Sequence, residues 1–255
     1  MLRYTISTTI CLFCLLLASP LWASDGMRTV FERPDHARAA AKILAEAKAK
    51  GLLNERTNLR SRNVPPAIVR IRVPEGRTIS YGSGALVFAG EELGLVLTNW
   101  HVVRDCTGDI KVYFPGGFSS KGRLVKSDAL WDLAAVLVWL PKKEVEPLTI
   151  ATEPPERGAK LSIAGYGERR YREKSGVLLQ YVAPARNASF DLIEMAVWAR
   201  QGDSGGPILN EQREMAGILF GTADGRTTGS NCVQLKKFLD ATLAEYDDLT
   251  EWLGK

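Results

Sequence analysis

Gln201-Gly202-Asp203-Ser204-Gly205-Gly206-Pro207 seats one serine among three glycines. Glycine lets the chain adopt left-handed turns and brings backbone N–H groups close to a reacting oxygen, so the stretch reads as a nucleophile surrounded by amide donors. A serine hydroxyl is a weak nucleophile at neutral pH and needs a base within hydrogen-bond reach, most often histidine. The 255-residue chain contains two histidines, His36 and His101, and both precede Ser204.

That order sorts the hydrolase classes. Gly202-x-Ser204-x-Gly206 also fits the nucleophile elbow of α/β-hydrolases, whose triad runs Ser, Asp or Glu, then His. No histidine follows Ser204, so this reading fails. The order His, Asp, Ser is the one that well-placed residues can supply. Thr98-Asn99-Trp100-His101 ends a hydrophobic run at a short turn, a place suited to a general base. His36 falls on a charged N-terminal helix and reads as a solvated surface residue.

The third member should be a carboxylate that holds the imidazole tautomer. Asp105 and Asp109 would share the turn or loop after His101, and Asp203 adjoins the nucleophile. Asp132 is favoured because it directly precedes the apolar run Leu133-Ala-Ala-Val136, which would bury its carboxylate; Asp128 is next. The amides of Gly202 and Ser204 are the expected oxyanion donors.

Residues 1–23 carry Arg3, then Ile10-Cys-Leu-Phe-Cys-Leu-Leu-Leu17 and Ala18-Ser-Pro-Leu-Trp-Ala23, with no acidic residue. This pattern is that of a signal peptide cleaved after Ala23; a membrane span needs about 20 apolar residues, so no stable membrane insertion is expected after cleavage. Cleavage removes Cys11 and Cys14 and leaves Cys106 and Cys232, which allow one disulfide or two separate buried thiols. The formal charge of +4 is spread along the chain, and its densest cluster, Arg169-Arg170-Tyr171-Arg172-Glu173-Lys174, reads as a solvated hairpin tip rather than a nucleic-acid site. Scarce histidine and the lack of a surviving Cys-x-x-Cys pair leave no zinc site, and no cofactor is expected.

With 45% hydrophobic residues and a mean hydropathy of -0.08, the mature chain has material for a sizeable soluble core. Asp35 as N-cap and Gly51 as stop bracket a helix from His36 to about Leu53, followed by a polar linker that Pro65-Pro66 closes. Short strand-like runs then succeed one another: 68–73, 79–88, 93–98, 110–114, 122–125, 133–140, 160–165, 176–182, 192–197, 207–209 and 215–220. Strands without intervening helices predict an all-β barrel or sandwich, closed by a helix from about Gln234 to Tyr246.

Taken together, three motifs resemble the trypsin-like (chymotrypsin-fold) serine proteases: Thr98-Asn-Trp-His101, Asp132-Leu-Ala134 and Gly202-Asp-Ser-Gly-Gly-Pro207. The likeness spans about residues 64–245, and Gly82-Ser83-Gly84 followed by hydrophobics resembles single-chain bacterial members. It implies two antiparallel six-stranded β-barrels with a cleft between them; with the leader 1–23 and the helical segment and linker 24–63, which lie outside the likeness, the expected division leaves a protease domain at 64–255. It further implies a serine endopeptidase acting on protein or peptide substrates through His101, Asp132 and Ser204, which the leader makes an exported (secreted or periplasmic) one. An idle protease-like binding module and a serine esterase are the rival readings. Oligomeric state is not legible.

Two departures from the family stand out. The Ile-Val-Gly-Gly start that pairs with the aspartate before the serine is missing, Ile68-Val69 being followed by Arg70, so Asp203 should have an internal partner. Six residues before Ser204, where trypsin carries its pocket aspartate, stands Trp198. For Trp198 and Phe220 core packing is the expectation.

Overall fold

The computed structural model describes residues 20–23, 26–52 and 64–245. Two closed six-stranded antiparallel barrels account for most of it. The first comprises β3 (Ile68–Glu75), β4 (Thr78–Ala89), β5 (Leu93–Thr98), β6 (Ile110–Tyr113), β7 (Ser119–Asp128) and β8 (Leu133–Trp139), in the order β3-β4-β5-β8-β7-β6. The second comprises β9 (Lys160–Gly165), β10 (Arg172–Val182), β11 (Leu192–Ala196), β12 (Pro207–Leu209), β13 (Met215–Ala223) and β14 (Arg226–Asn231), in the order β10-β11-β14-β13-β12-β9.

The first barrel explains why β5 and β8 are continuous apolar runs rather than alternating ones. Side chains on alternate faces of a strand point oppositely, and here both faces are covered. Val96, Ala134, Val136 and Val138 enter the barrel's own core with Val69, Ile71, Leu86 and Val112. Leu95, Leu97, Leu133 and Ala135 face outward into a second core, shared with Met215 and Ile218 of the other barrel. A helix at the C-terminal end, α3 (Cys232–Glu245), adds Leu235 and Phe238 to that shared layer. Asn231 caps it, its side-chain oxygen accepting the Val233 and Gln234 amides at 3.0 and 3.3 Å.

The eleven runs read from the sequence correspond to eleven of the twelve barrel strands. The exception is β14, Arg226-Thr-Thr-Gly-Ser-Asn231, whose polar composition carries no hydrophobic period. It is buried nonetheless, Thr227, Thr228, Ser230 and Asn231 all being at most 1% exposed. Backbone pairing to β11 and β13 brings this polar strand inside.

The N-terminal helix α1 spans Pro34–Ala49 and starts earlier than expected; Arg33 takes the cap position and Asp35 lies within the first turn. Proline is tolerated at a helix's first position, where its missing N–H costs nothing. Ala40 and Ala47, with Ile43, Leu44 and Leu52, pack on Val177, Leu179 and Ala196 of the second barrel. Phe31 pairs with Ala183 just before the helix. His36 is not a solvated surface residue: its side chain is 12% exposed, its Nδ1 lies 3.3 Å from the Tyr181 carbonyl, and its ring meets Phe190 edge-on at 5.8 Å. The expected leader lies mostly outside the described residues; its last four, Pro20–Ala23, form strand β1 paired with β2 (Gly26–Thr29). Among the described residues no helix is long and apolar enough to cross a membrane.

Candidate active site

Strand register brings the histidine to the aspartate. In the β5–β8 pair Thr98 faces Ala134, so the residues just beyond the end of β5 lie beside those just before the start of β8. The short helix α2 (Trp100–Val103) carries His101 there, and Asp132 stands one residue before β8. His101 Nδ1 lies 2.6 Å from Asp132 Oδ2, and the His101 amide donates to Oδ1 at 2.9 Å. An ionised carboxylate can only accept here, so Nδ1 carries a proton, and in the neutral imidazole Nε2 is then the nitrogen able to accept one.

Asp132 is fully buried and has a left-handed backbone, φ 54°. Such a conformation costs a non-glycine residue on the order of 1–2 kcal/mol and persists only where its surroundings enforce it. Asn99 does so: its side-chain amide donates to the Asp132 carbonyl at 2.9 Å. Asp128, the other candidate, serves the preceding turn instead, its Oδ1 accepting the Leu130 and Trp131 amides at 2.8 and 3.1 Å.

Ser204 comes from the other barrel, on the loop before β12. It lines a cleft of about 830 Å³ together with His101, Tyr81, Tyr166, Gly202 and Phe220. Its hydroxyl points to the Phe220 carbonyl at 3.4 Å, a weak contact for an O–H donor that leaves the rotor lightly held. Gly202 has φ +91° and Gly205 φ +84°, conformations that disfavour any side chain. Among the described residues the Gly202 and Ser204 amides make no backbone hydrogen bond, whereas Asp203, Gly205 and Gly206 donate to Arg200, Leu219 and Asp203 respectively. Two amide donors are thus left beside the serine, an arrangement able to bind an oxyanion.

Asp203 has internal partners, as its missing N-terminal partner required. Its Oδ1 accepts the Gly167 amide at 2.6 Å and its Oδ2 the Arg200 amide at 2.7 Å. The Arg200 guanidinium reaches Oδ1 at 3.3 Å, and Arg172 lies 3.6 Å from Oδ2. Arg172 also donates to the Trp198 carbonyl at 3.2 Å, so one member of the basic cluster is engaged rather than solvated; Arg169 and Arg170 are exposed. Gly167 belongs to a 3₁₀ turn, Gly167–Arg169, in which Glu168 and Arg169 both have positive φ. Burial pushes the neighbouring Tyr166 phenol up to about 12, keeping it a neutral donor to the Ile68 carbonyl at 3.2 Å.

Other expectations are corrected. Cys106 and Cys232 form no disulfide; both are free thiols. The Cys106 thiol donates to the Gly108 carbonyl at 3.0 Å beside the first barrel's core. Cys232 is fully buried where α3 begins, and burial pushes its thiol up. Trp198 is not core: it is 56% exposed, whereas Phe220 is buried at 2%. Thr227 donates to the Val197 carbonyl at 2.8 Å and ties β14 to the segment before Trp198. Among the described residues no cluster of His, Cys, Asp or Glu is placed to hold a metal ion.

Sequence inspection missed Asn99, Ser83, Arg200 and Arg172. Arg200 left a trace, a cation three residues before an aspartate that lacked its usual partner. Ser83 left none beyond its place between Gly82 and Gly84.

Two closed barrels, with a His–carboxylate pair from one and a glycine-seated serine from the other, define the chymotrypsin-like class. A family model for the trypsin-like peptidase domain matches residues 82–218, and the chain belongs to that family, a hydrolase family of serine proteases. Serine protease Rv3671c of Mycobacterium tuberculosis strain H37Rv is 29% identical over 177 residues, as is serine protease MT3772 of strain CDC 1551; each match covers 64% of this chain and 42% of the relative's length. Among solved structures, the Rv3671c protease in its active form superposes with a TM-score of 0.61 at 22% identity, covering 74% of this chain and 85% of that one. A serine endoprotease from Yersinia pestis gives 0.60 at 22%, covering 72% and 65%.

Proposed function

We propose that this chain is an exported serine endopeptidase that cleaves peptide bonds through an acyl-enzyme. Ser204 attacks the substrate carbonyl while His101 Nε2 takes its proton and later returns it to the leaving amine. Asp132 fixes the Nδ1–H tautomer and stabilises the imidazolium. The Gly202 and Ser204 amides receive the developing oxyanion, and water then clears the ester. The observation that carries this reading is the buried Asp132 carboxylate, 2.6 Å from His101 Nδ1, in a histidine that shares one cleft with Ser204.

Substrates are proteins or peptides. The cleft that holds Ser204 is lined both by Ala199, Leu219, Phe220, Gly221 and Thr222 and by the charged side chains of Asp105, Glu168 and Arg169. Export rests on the leader-like residues 1–23.

A fluorophosphonate probe applied to the purified protein tests the assignment. Wild type should be labelled, and Ser204→Ala and His101→Ala should not. Labelling that persists in Ser204→Ala would refute it.

A further inference from the structure

We propose that Ser83, on β4 of the first barrel, is a positioning residue that fixes the two peptides flanking the oxyanion-binding amides of Gly202 and Ser204 in the second. This rests on the reading of the Gly202 and Ser204 amides as oxyanion donors. Ser83 is fully buried and contacts the nucleophile loop through two of its atoms, Oγ and the amide nitrogen. Its Oγ donates to the Gly202 carbonyl at 2.8 Å and accepts the Tyr166 amide at 2.8 Å. Its own amide donates to the Ser204 carbonyl at 2.7 Å, and its carbonyl accepts the Thr98 hydroxyl at 2.7 Å.

The direction of these bonds is forced. An amide N–H can only donate, so Tyr166 occupies a lone pair of Ser83 Oγ and the single hydroxyl proton is committed to Gly202. The Gly202 carbonyl and the Asp203 N–H belong to one planar peptide. That peptide is therefore held at both ends, by Ser83 at the carbonyl and by the Arg200 carbonyl at the N–H, 3.0 Å away. Gly202, at φ +91°, presents its carbonyl to Ser83, while among the described residues its own amide makes no backbone hydrogen bond. The Ser204 carbonyl is held in the same way by the Ser83 amide.

The socket around Ser83 has no spare room. A Cβ on Gly205 would come within 2.2 Å of the Ser83 carbonyl and of Thr98 Oγ1, and one on Gly165 within 3.0 Å of Ser83 Oγ. Two glycines therefore admit this serine and its partners. The strand after Gly82 thus contributes a functional group to a loop 119 residues further along the chain.

The test compares wild type, Ser83→Ala and Ser83→Cys in two measurements on the purified protein. The first is the second-order rate of fluorophosphonate labelling, since the phosphoryl oxygen must enter the oxyanion site. The second is amide exchange at Asp203 and Tyr166, referenced to β7 amides. Ser83→Ala should label about 10–100-fold more slowly and exchange at Asp203 and Tyr166 at least about tenfold faster, with β7 unchanged. Ser83→Cys, which keeps a weak donor, should fall between, and it serves alone if Ser83→Ala does not fold. Where wild type is labelled, unchanged labelling of the Ser83 variants overturns the proposal, whatever the exchange does. Slower labelling without faster local exchange also overturns it, because the effect would not run through the pinned peptide. If wild type itself is not labelled, the peptidase reading fails, and the exchange arm alone decides whether Ser83 holds the peptide.

Discussion

The two halves of the site are held by different physics. His101 and Asp132 sit at the adjoining ends of two strands buried on both faces, and strand register, with Asn99 holding the Asp132 carbonyl, brings them together. Ser204 sits on a loop whose geometry depends on positive-φ glycines, on Ser83 across the barrel interface, and on a carboxylate clasped by two arginines. The first half is a consequence of the core, and the second is an assembly of polar contacts. Disturbance of the second half should therefore cost activity before it costs the fold.

The largest effects belong to the reacting groups and touch both halves equally. Ser204→Ala or His101→Ala should lower kcat on the order of 10⁶-fold, and Asp132→Asn by about 10⁴-fold, because an amide can hold the wrong tautomer. Melting temperatures should hardly move for Ser204→Ala, whose hydroxyl makes only a 3.4 Å contact. A Ser204→Ala protein that retained peptidase activity would dissolve the comparison altogether.

Next comes the clasp on Asp203. Arg200→Met leaves a buried carboxylate with Arg172 as its remaining cation, at 3.6 Å. Losing one partner of a buried pair costs about 3–5 kcal/mol, and the surviving arginine should cut this to about 2–3 kcal/mol. The loop that carries Gly202 would loosen with it, so kcat should fall about 10–100-fold while KM changes little. Arg172→Met should do the same more weakly. Denaturant unfolding and steady-state kinetics on both variants give the ranking, and an Arg172 variant worse than the Arg200 one would invert the proposed order.

A smaller effect separates the thiols from the fold. Since Cys106 and Cys232 are unbonded, a reductant should leave the melting temperature unchanged. Under native conditions a thiol reagent should modify Cys106 faster than the buried Cys232. A reductant-induced drop of several degrees would mean that a bridge forms after all.

What could be read in advance follows the same division. The strands of both barrels were legible wherever burial demanded apolar residues, as in Leu93–Thr98 and Leu133–Trp139. β14 was not, because Thr227, Thr228 and Ser230 enter the interior through backbone pairing and leave no hydrophobic period. Asp132 was legible as a carboxylate about to enter an apolar strand. Its left-handed backbone and its support from Asn99 were not, since neither follows from residue type. Trp198 and His36 were misread because residue type does not say what covers a side chain: α1 docks on the second barrel and sets His36 against Tyr181 and Phe190, whereas Trp198 lies beyond the end of β11 and stays exposed.

The smallest predicted effect concerns the strap that precedes α1. Glu32 follows Phe31, which exchanges backbone hydrogen bonds with Ala183 at 2.9 and 3.0 Å. Burial, and then the negative charge of Glu194 on β11, raise its carboxyl above the ordinary value of 4.5, against lowering contributions from Gln180 on β10 and Arg226 on β14. Glu194 is itself held by Gln180 at 2.8 Å and Arg226 at 3.0 Å, so a second carboxylate there competes for the same donors. The folded protein thus binds this proton more tightly than the unfolded chain does. Its contribution to stability is fully present below pH 4.5 and is lost as pH rises through the raised folded value. Glu32→Gln should remove this dependence and protect the strap at neutral pH, by less than about 1 kcal/mol given the solvent around the carboxylate. Protection factors for the Phe31 and Ala183 amides at pH 5 and pH 7 read it directly. Wild type should be better protected at pH 5, the variant equally at both, and a variant less protected than wild type at pH 7 would reverse the sign.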